Sequence, residues 1–74
     1  MRNIKAFIAK HRIRVSGISE AIGATRQLIS RRLAGTTAWT AIEVVQFHAY
    51  LESEGVSVDL GELTRACASD YRED

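Results

Sequence analysis

The chain has 74 residues, 46% of them hydrophobic, and a formal net charge of +1, which together predict one small domain with a core of modest stability. Its one cysteine, Cys67, excludes an intrachain disulfide and fits a small buried side chain in a reducing, cytoplasmic setting. The apolar runs are far shorter than the roughly 20 residues that cross a bilayer, so we expect no membrane segment.

Catalytic and metal motifs are missing from the sequence. His11, His48 and Cys67 do not have the spacing of metal ligands. There is no Gly-rich phosphate loop, nucleophile elbow or carboxylate pair in an apolar setting. We therefore expect a protein that is not an enzyme and that uses no metal, cofactor or small-molecule substrate.

Apolar residues at helical spacing predict two short helices in the first third of the chain. They are Ile4, Phe7 and Ile8 in the first helix and Ile18, Ala21 and Ile22 in the second. Asn3 is the predicted N-cap of the first helix, and Arg14 and Ser16 both suit the start of the second. Gly23 ends the second helix.

A third helix is predicted between Thr25, which suits an N-cap, and Gly35, which suits a helix end. On a helical wheel its apolar residues gather on one side: Leu28, Ile29 and Leu33. Its polar and small residues gather on the other: Arg26, Gln27, Ser30, Arg31 and Ala34. One side therefore faces a core and the other faces outwards.

Two capping motifs predict the last two helices. Thr40 and Glu43 have the spacing of a capping box, and an apolar stripe follows: Ala41, Val44, Phe47, His48 and Leu51. Asp59 and Glu62 repeat the motif and open a short helix over about residues 59–68. The polar tail, residues 69–74, is expected to fray.

With no proline and no convincing strand pattern, the chain is predicted to be all-α. We expect a compact bundle of about five short helices forming a single domain over residues 1–74.

Charge is divided between the two halves of the chain. Residues 1–35 carry eight Lys or Arg and one acid, a net charge of +7, whereas residues 36–74 carry two Arg and eight acids, a net charge of −6. This division favours a basic surface for a polyanion.

The outward side of the third helix has the chemistry of a base-reading surface. Arginine can pair with guanine O6 and N7, and glutamine with adenine N6 and N7. The candidate base-reading residues are Arg26, Gln27, Ser30 and Arg31. An apolar helix, a glycine turn and a second helix of this kind form the arrangement of a helix-turn-helix, predicted at about residues 15–34.

The segment "ISEAIGATRQLISRRLAG" resembles the helix-turn-helix of the Cro/C1-type (XRE-like) DNA-binding family, and "WTAIEVVQFHAYL" resembles the fourth helix of that family. The likeness covers about residues 3–55, and "ISRRLAG…W" is similar to small regulators of actinobacteria and their phages. It implies a lambda repressor-like fold and a repressor or Cro-like regulator that occupies operators in double-stranded DNA within a bacterial cell. Ser19 stands where alanine is more usual, at the close approach of the two helices.

The resemblance and the helix positions give a set of candidates for contacts with the DNA backbone: Arg14, Ser16, Thr25, Arg32, Thr36, Thr37 and Trp39. Arg32 stands at a usually apolar position, and we expect its stem to follow the apolar edge and its charge to reach a phosphate. For Trp39 a role as a core anchor is the stronger expectation.

A second apolar set lies in the C-terminal half: Ile42, Val45, Ala49, Leu60 and Leu63. These residues either receive the fifth helix or form a homodimer interface that spaces two reading helices one DNA turn apart. An antitoxin and a protein-interaction module of the same fold are the alternative functions.

Overall fold

The computed structural model describes the backbone of residues 4–70 and the side chains of residues 4–68. The described chain is all-helical: α1 (Ile4–Lys10), α2 (Val15–Ile22), α3 (Arg26–Ala34), α4 (Ala41–Ser53) and α5 (Leu60–Asp70). No strand occurs between residues 4 and 70. The all-α prediction and the count of five helices are confirmed.

All five helices supply the core. Its fully buried members are Ile4, Ile18, Ile29, Phe47, Leu51 and Leu63, with Cys67 beside them. α4 lies against both α2 and α5, while α1 packs on α3 and α5. Cys67 is 2% exposed, as expected for a small buried side chain. No described helix is long and apolar enough to cross a membrane.

The helix ends follow the predicted capping residues closely. Thr40 and Glu43 form a complete capping box at the start of α4, and the Asp59 carboxylate accepts a 3.0 Å hydrogen bond from the Glu62 amide. Arg14 is the N-cap of α2, although its side chain makes no capping hydrogen bond. α5 begins one residue later than predicted and continues to Asp70, two residues beyond the predicted end at about residue 68. Asn3 and residues 71–74 lie outside the described part.

The His48 side chain links α4 to the loop that follows this helix through a polar contact. Its Nε2 lies 2.7 Å from the Val58 carbonyl oxygen, and its Nδ1 lies 3.3 Å from a carboxylate oxygen of Glu52. Both ring nitrogens of the partly buried His48 therefore have polar neighbours. Ala41, predicted to join the buried stripe of α4, is exposed.

Gly17 gives α2 a close approach to α4. A Cβ at this position would clash with Oη of Tyr50 and lie 2.7 Å from its Cζ, so any larger residue must displace the tyrosine side chain. Tyr50 is half-buried against the core, and its hydroxyl donates to Glu54 at 3.1 Å. The glycine therefore lowers the propensity of α2 to be helical while allowing Tyr50 to pack.

Replacing Gly17 with Ala should lower the free energy of unfolding by about 1–3 kcal/mol, because overpacking outweighs the gain in helix propensity. Urea denaturation measures the change. Tyr50→Leu removes the obstructing ring, so Gly17→Ala in that background should become neutral or stabilising. A stabilising Gly17→Ala in the wild-type background would contradict this packing.

Candidate functional site

The connection between α2 and α3 is a short turn held by local hydrogen bonds. Gly23 has φ 78°, a left-handed conformation that glycine adopts without steric cost, and its amide donates to the Ser19 carbonyl at 2.8 Å. The Ser19 hydroxyl donates to the carbonyl of Ala24. A serine at this position therefore keeps the small size that the turn requires and adds a hydrogen bond across it.

The outward side of α3 is exposed to solvent. Arg26, Gln27, Ser30 and Arg31 are all exposed, whereas Ile29 and Leu33 on the opposite side are buried in the core. α3 contains no Asp or Glu, and no salt bridge joins these two arginines to an acid of the described chain. The four side chains form one exposed surface, which we call the α3 face (Arg26, Gln27, Ser30 and Arg31).

The N-terminus of α3 also favours negative charge. The Thr25 hydroxyl accepts a 3.1 Å hydrogen bond from the Leu28 amide and keeps its own proton available to donate. The first turn holds no acid, and Arg26 adds a cation to the positive end of the helix dipole. Such a cation costs a helix about 0.3–1 kcal/mol, while it strengthens the attraction for an external anion.

Arg32 is not one of the exposed cations, so the expectation that its charge is directed outwards to a phosphate is wrong. The residue is 8% exposed and its guanidinium binds the carboxylate of Glu43 through two hydrogen bonds, Nε to Oε1 at 3.0 Å and Nη2 to Oε2 at 3.1 Å. A bidentate pair of this kind directs the charge towards the start of α4 rather than outwards.

Glu43 therefore serves two helices at once. Its Oε1 accepts from the Thr40 amide at 2.8 Å, as well as from Arg32. Burial by itself raises the pKa of Glu43, but the hydrogen bonds from Arg32 and Thr40 and the Arg32 charge outweigh it, so the pKa lies below its ordinary value of 4.5. Glu43 is thus ionised in the folded protein at neutral pH, and it fixes the end of α3 against the start of α4.

Three of the predicted backbone contacts are exposed at the starts of helices. Arg14 and Ser16 are exposed at the start of α2, and Thr25 is exposed at the start of α3. Helix N-termini and their flanking donors are common sites for phosphate. Thr37, in the loop after α3, is half-buried.

Two other residues predicted as backbone contacts have structural roles in the described chain. The hydroxyl and the amide of Thr36 both donate to the Arg31 carbonyl, at 3.2 and 3.1 Å, so this residue caps the end of α3. Trp39 stacks on Phe47 with ring centroids 5.2 Å apart, and its indole nitrogen is buried without a hydrogen-bond partner in the described chain. Trp39 is a core anchor, and its N–H cannot reach a phosphate from this position.

The chain matches no protein-family model, no curated protein and no solved structure. Its function is therefore inferred from the geometry and chemistry of its own residues. Among residues 4–70, His, Cys, Asp and Glu side chains form no group of three or more that could hold a metal ion.

An apolar stripe on α4 is exposed on the side away from the core. Ile42 is 72% exposed and Val45 is 55% exposed, and Ala49 and Leu60 are also accessible. Leu63, predicted as part of the same surface, is fully buried and contributes to the core instead. The stripe therefore comprises Ile42, Val45 and Ala49, with Leu60 on the neighbouring helix.

Glu43 should make stability depend on acid pH. Because its pKa is lower in the folded protein than in the unfolded chain, its contribution is present above the ordinary value of 4.5 and is lost as the pH falls through the lowered value. At neutral pH, Glu43→Gln should cost about 2 kcal/mol of unfolding free energy, because Arg32 remains buried without a counter-charge.

Urea denaturation at a series of pH values measures both effects. The difference between wild type and Glu43→Gln should shrink as the pH falls below 4.5. Glu20→Gln, which neutralises an exposed acid on α2, is the matched control and should change stability little. A Glu43→Gln difference that stays constant across this pH range would contradict the assignment.

Proposed function

We propose that this chain binds double-stranded DNA with sequence specificity and acts as a transcriptional regulator of the repressor or Cro type. The observation that carries the proposal is the α3 face, where two guanidiniums, an amide and a hydroxyl are exposed while the opposite side of the helix is buried. Those groups match the hydrogen-bonding edges of bases in the major groove.

The arrangement of α2, the Gly23–Thr25 turn and α3 supports interpretation as a helix-turn-helix within a lambda repressor-like bundle. In that motif the second helix enters the major groove and the first crosses the backbone. Arg14, Ser16 and Thr25 would then approach phosphates on either side of the groove. The bound protein would act by occupancy, keeping polymerase or a rival regulator from a promoter.

Selection from a random pool of duplex DNA, followed by sequencing, tests the proposal directly. We expect a short motif to be enriched over the starting pool, with binding that weakens steeply as salt rises. A chain that enriches no motif and gives no shift on duplex DNA would contradict the proposed function.

Arg31→Ala should weaken binding to the selected duplex by about 1–3 kcal/mol and relax preference at one base position. Fluorescence anisotropy against single-base variants of the duplex measures both changes. Arg65→Ala removes the same group from an exposed position on α5 and should leave affinity and preference unchanged. Equal effects of the two substitutions would show that the α3 face does not read bases.

The exposed α4 stripe supports pairing of two copies on DNA. In an antiparallel pair about a two-fold axis, the large Ile42 of each copy would meet the small Ala49 of the other, and the two Val45 side chains would meet near the axis. A stable interface buries about 1,200–2,000 Å². Three or four exposed side chains offer far less, so the dimer would form only when two copies bind adjacent half-sites.

Val45→Glu should abolish cooperative binding to a duplex with two half-sites, because it places two like charges near the axis, while affinity for one half-site stays unchanged. Ser57→Glu adds the same charge on an exposed loop and is the control. Titrations by gel shift separate singly from doubly bound DNA. Unaltered cooperativity in Val45→Glu would exclude this stripe as the interface.

A further inference from the structure

α1 and the edge of the α3 face line a common pocket. The pocket has a volume of about 260 Å³ and lies between α1, the start of α2 and α3. Its wall is mainly apolar and includes Ile8, Ile13 and Leu33. Two polar residues also line it, Lys5 from α1 and Ser30 from the α3 face. Lys5 therefore shares a pocket with Ser30, a residue that we assign to base reading.

The helical positions of α1 explain why Lys5 and not Lys10 has this neighbour. Ile4 and Ile8 are buried and define the core side of the helix. Lys5 and Ala9 flank that side in the direction of α3, and both line the shared pocket. Lys10 is about 140° from Lys5 around the helix axis, so it is directed to another part of the surface. Both lysines are exposed.

The charges around Lys5 favour an external anion. α1 has no acid in its first turn, and the nearby α3 face contains only cationic and neutral groups. A lysine stem packs along apolar surface while its ammonium extends into solvent, and the apolar wall of the pocket provides such a surface. The ammonium would extend the positive potential of the α3 face towards α1.

We propose that Lys5 binds a DNA phosphate beside the groove entered by α3, so that α1 forms part of the interface. This inference rests on the proposed function and adds a contact that the helix-turn-helix segment does not supply. Because the contact is with the backbone, it would strengthen binding to all sequences equally and would not choose among bases. Lys5 would act as a point charge on a flexible stem, with no need for bidentate geometry.

Binding of Lys5→Gln, Lys10→Gln and wild type, measured across a series of KCl concentrations, tests the proposal. The probes are the selected duplex and a mixed-sequence duplex of the same length. Lys5→Gln should weaken binding to both probes by about fivefold at physiological salt and reduce the slope of log affinity against log salt by about 0.9. Lys10→Gln should bind like wild type, and Lys5→Arg should retain most of the affinity. Thermal melting of the free variants should not change.

The outcomes separate this proposal from the function on which it rests. If wild type binds and Lys5→Gln matches Lys10→Gln in affinity and salt slope, α1 is not part of the interface. A Lys5→Gln loss confined to the selected duplex would also overturn the phosphate assignment. If wild type binds neither probe, the proposed function fails and the Lys5 contact fails with it.

Discussion

The ion pair between Arg32 and Glu43 is the constraint on which the rest of the structure depends. Its two hydrogen bonds, at 3.0 and 3.1 Å, hold a charged residue on the inner side of α3 and so fix the rotation of that helix about its axis. The same carboxylate completes the capping box of α4. One half-buried carboxylate therefore caps the start of α4 and holds Arg32, near the end of α3, against it.

This rotation exposes the α3 face. The charged residues of that face add little to the stability of the helix. Arg26 stands at the positive end of the helix, where an acid would be more favourable, and no acid elsewhere on α3 offsets its charge. In a chain of 74 residues with a small core, such a cost is a noticeable part of the total stability. Local features that oppose stability and favour an anionic partner are typical of a functional surface.

Local sequence rules predicted the helices well because each helix end depends on residues within one turn. Thr25, Thr40 and Asp59 cap as expected, and Gly23 and Gly35 adopt left-handed conformations with φ 78° and 81°. The wheel of α3 also placed its exposed residues correctly.

The error at Arg32, the open assignment of Leu63 and the missed approach to Gly17 all concern residues distant in sequence. The charge of Arg32 was predicted to point outwards, because its partner Glu43 is eleven residues away on another helix. The position of an arginine on the apolar side of α3 was the signal that could have indicated a buried ion pair. The sequence left Leu63 open between the core and a dimer interface, because the packing of two neighbouring apolar helices is needed to tell which apolar side is buried. The approach of Tyr50 to Gly17 left no signal beyond a glycine inside a helix.

Amide chemical-shift mapping of the labelled protein with its selected duplex is the measurement that tests the central claim most directly. That claim is that the exposed side of α3 lies in the groove of DNA. The account predicts large shifts at Thr25, Gln27 and Arg31 and at the start of α2, with small shifts over the second half of α5. Shifts concentrated on α4 and α5, with the amides of α3 unchanged, would contradict it.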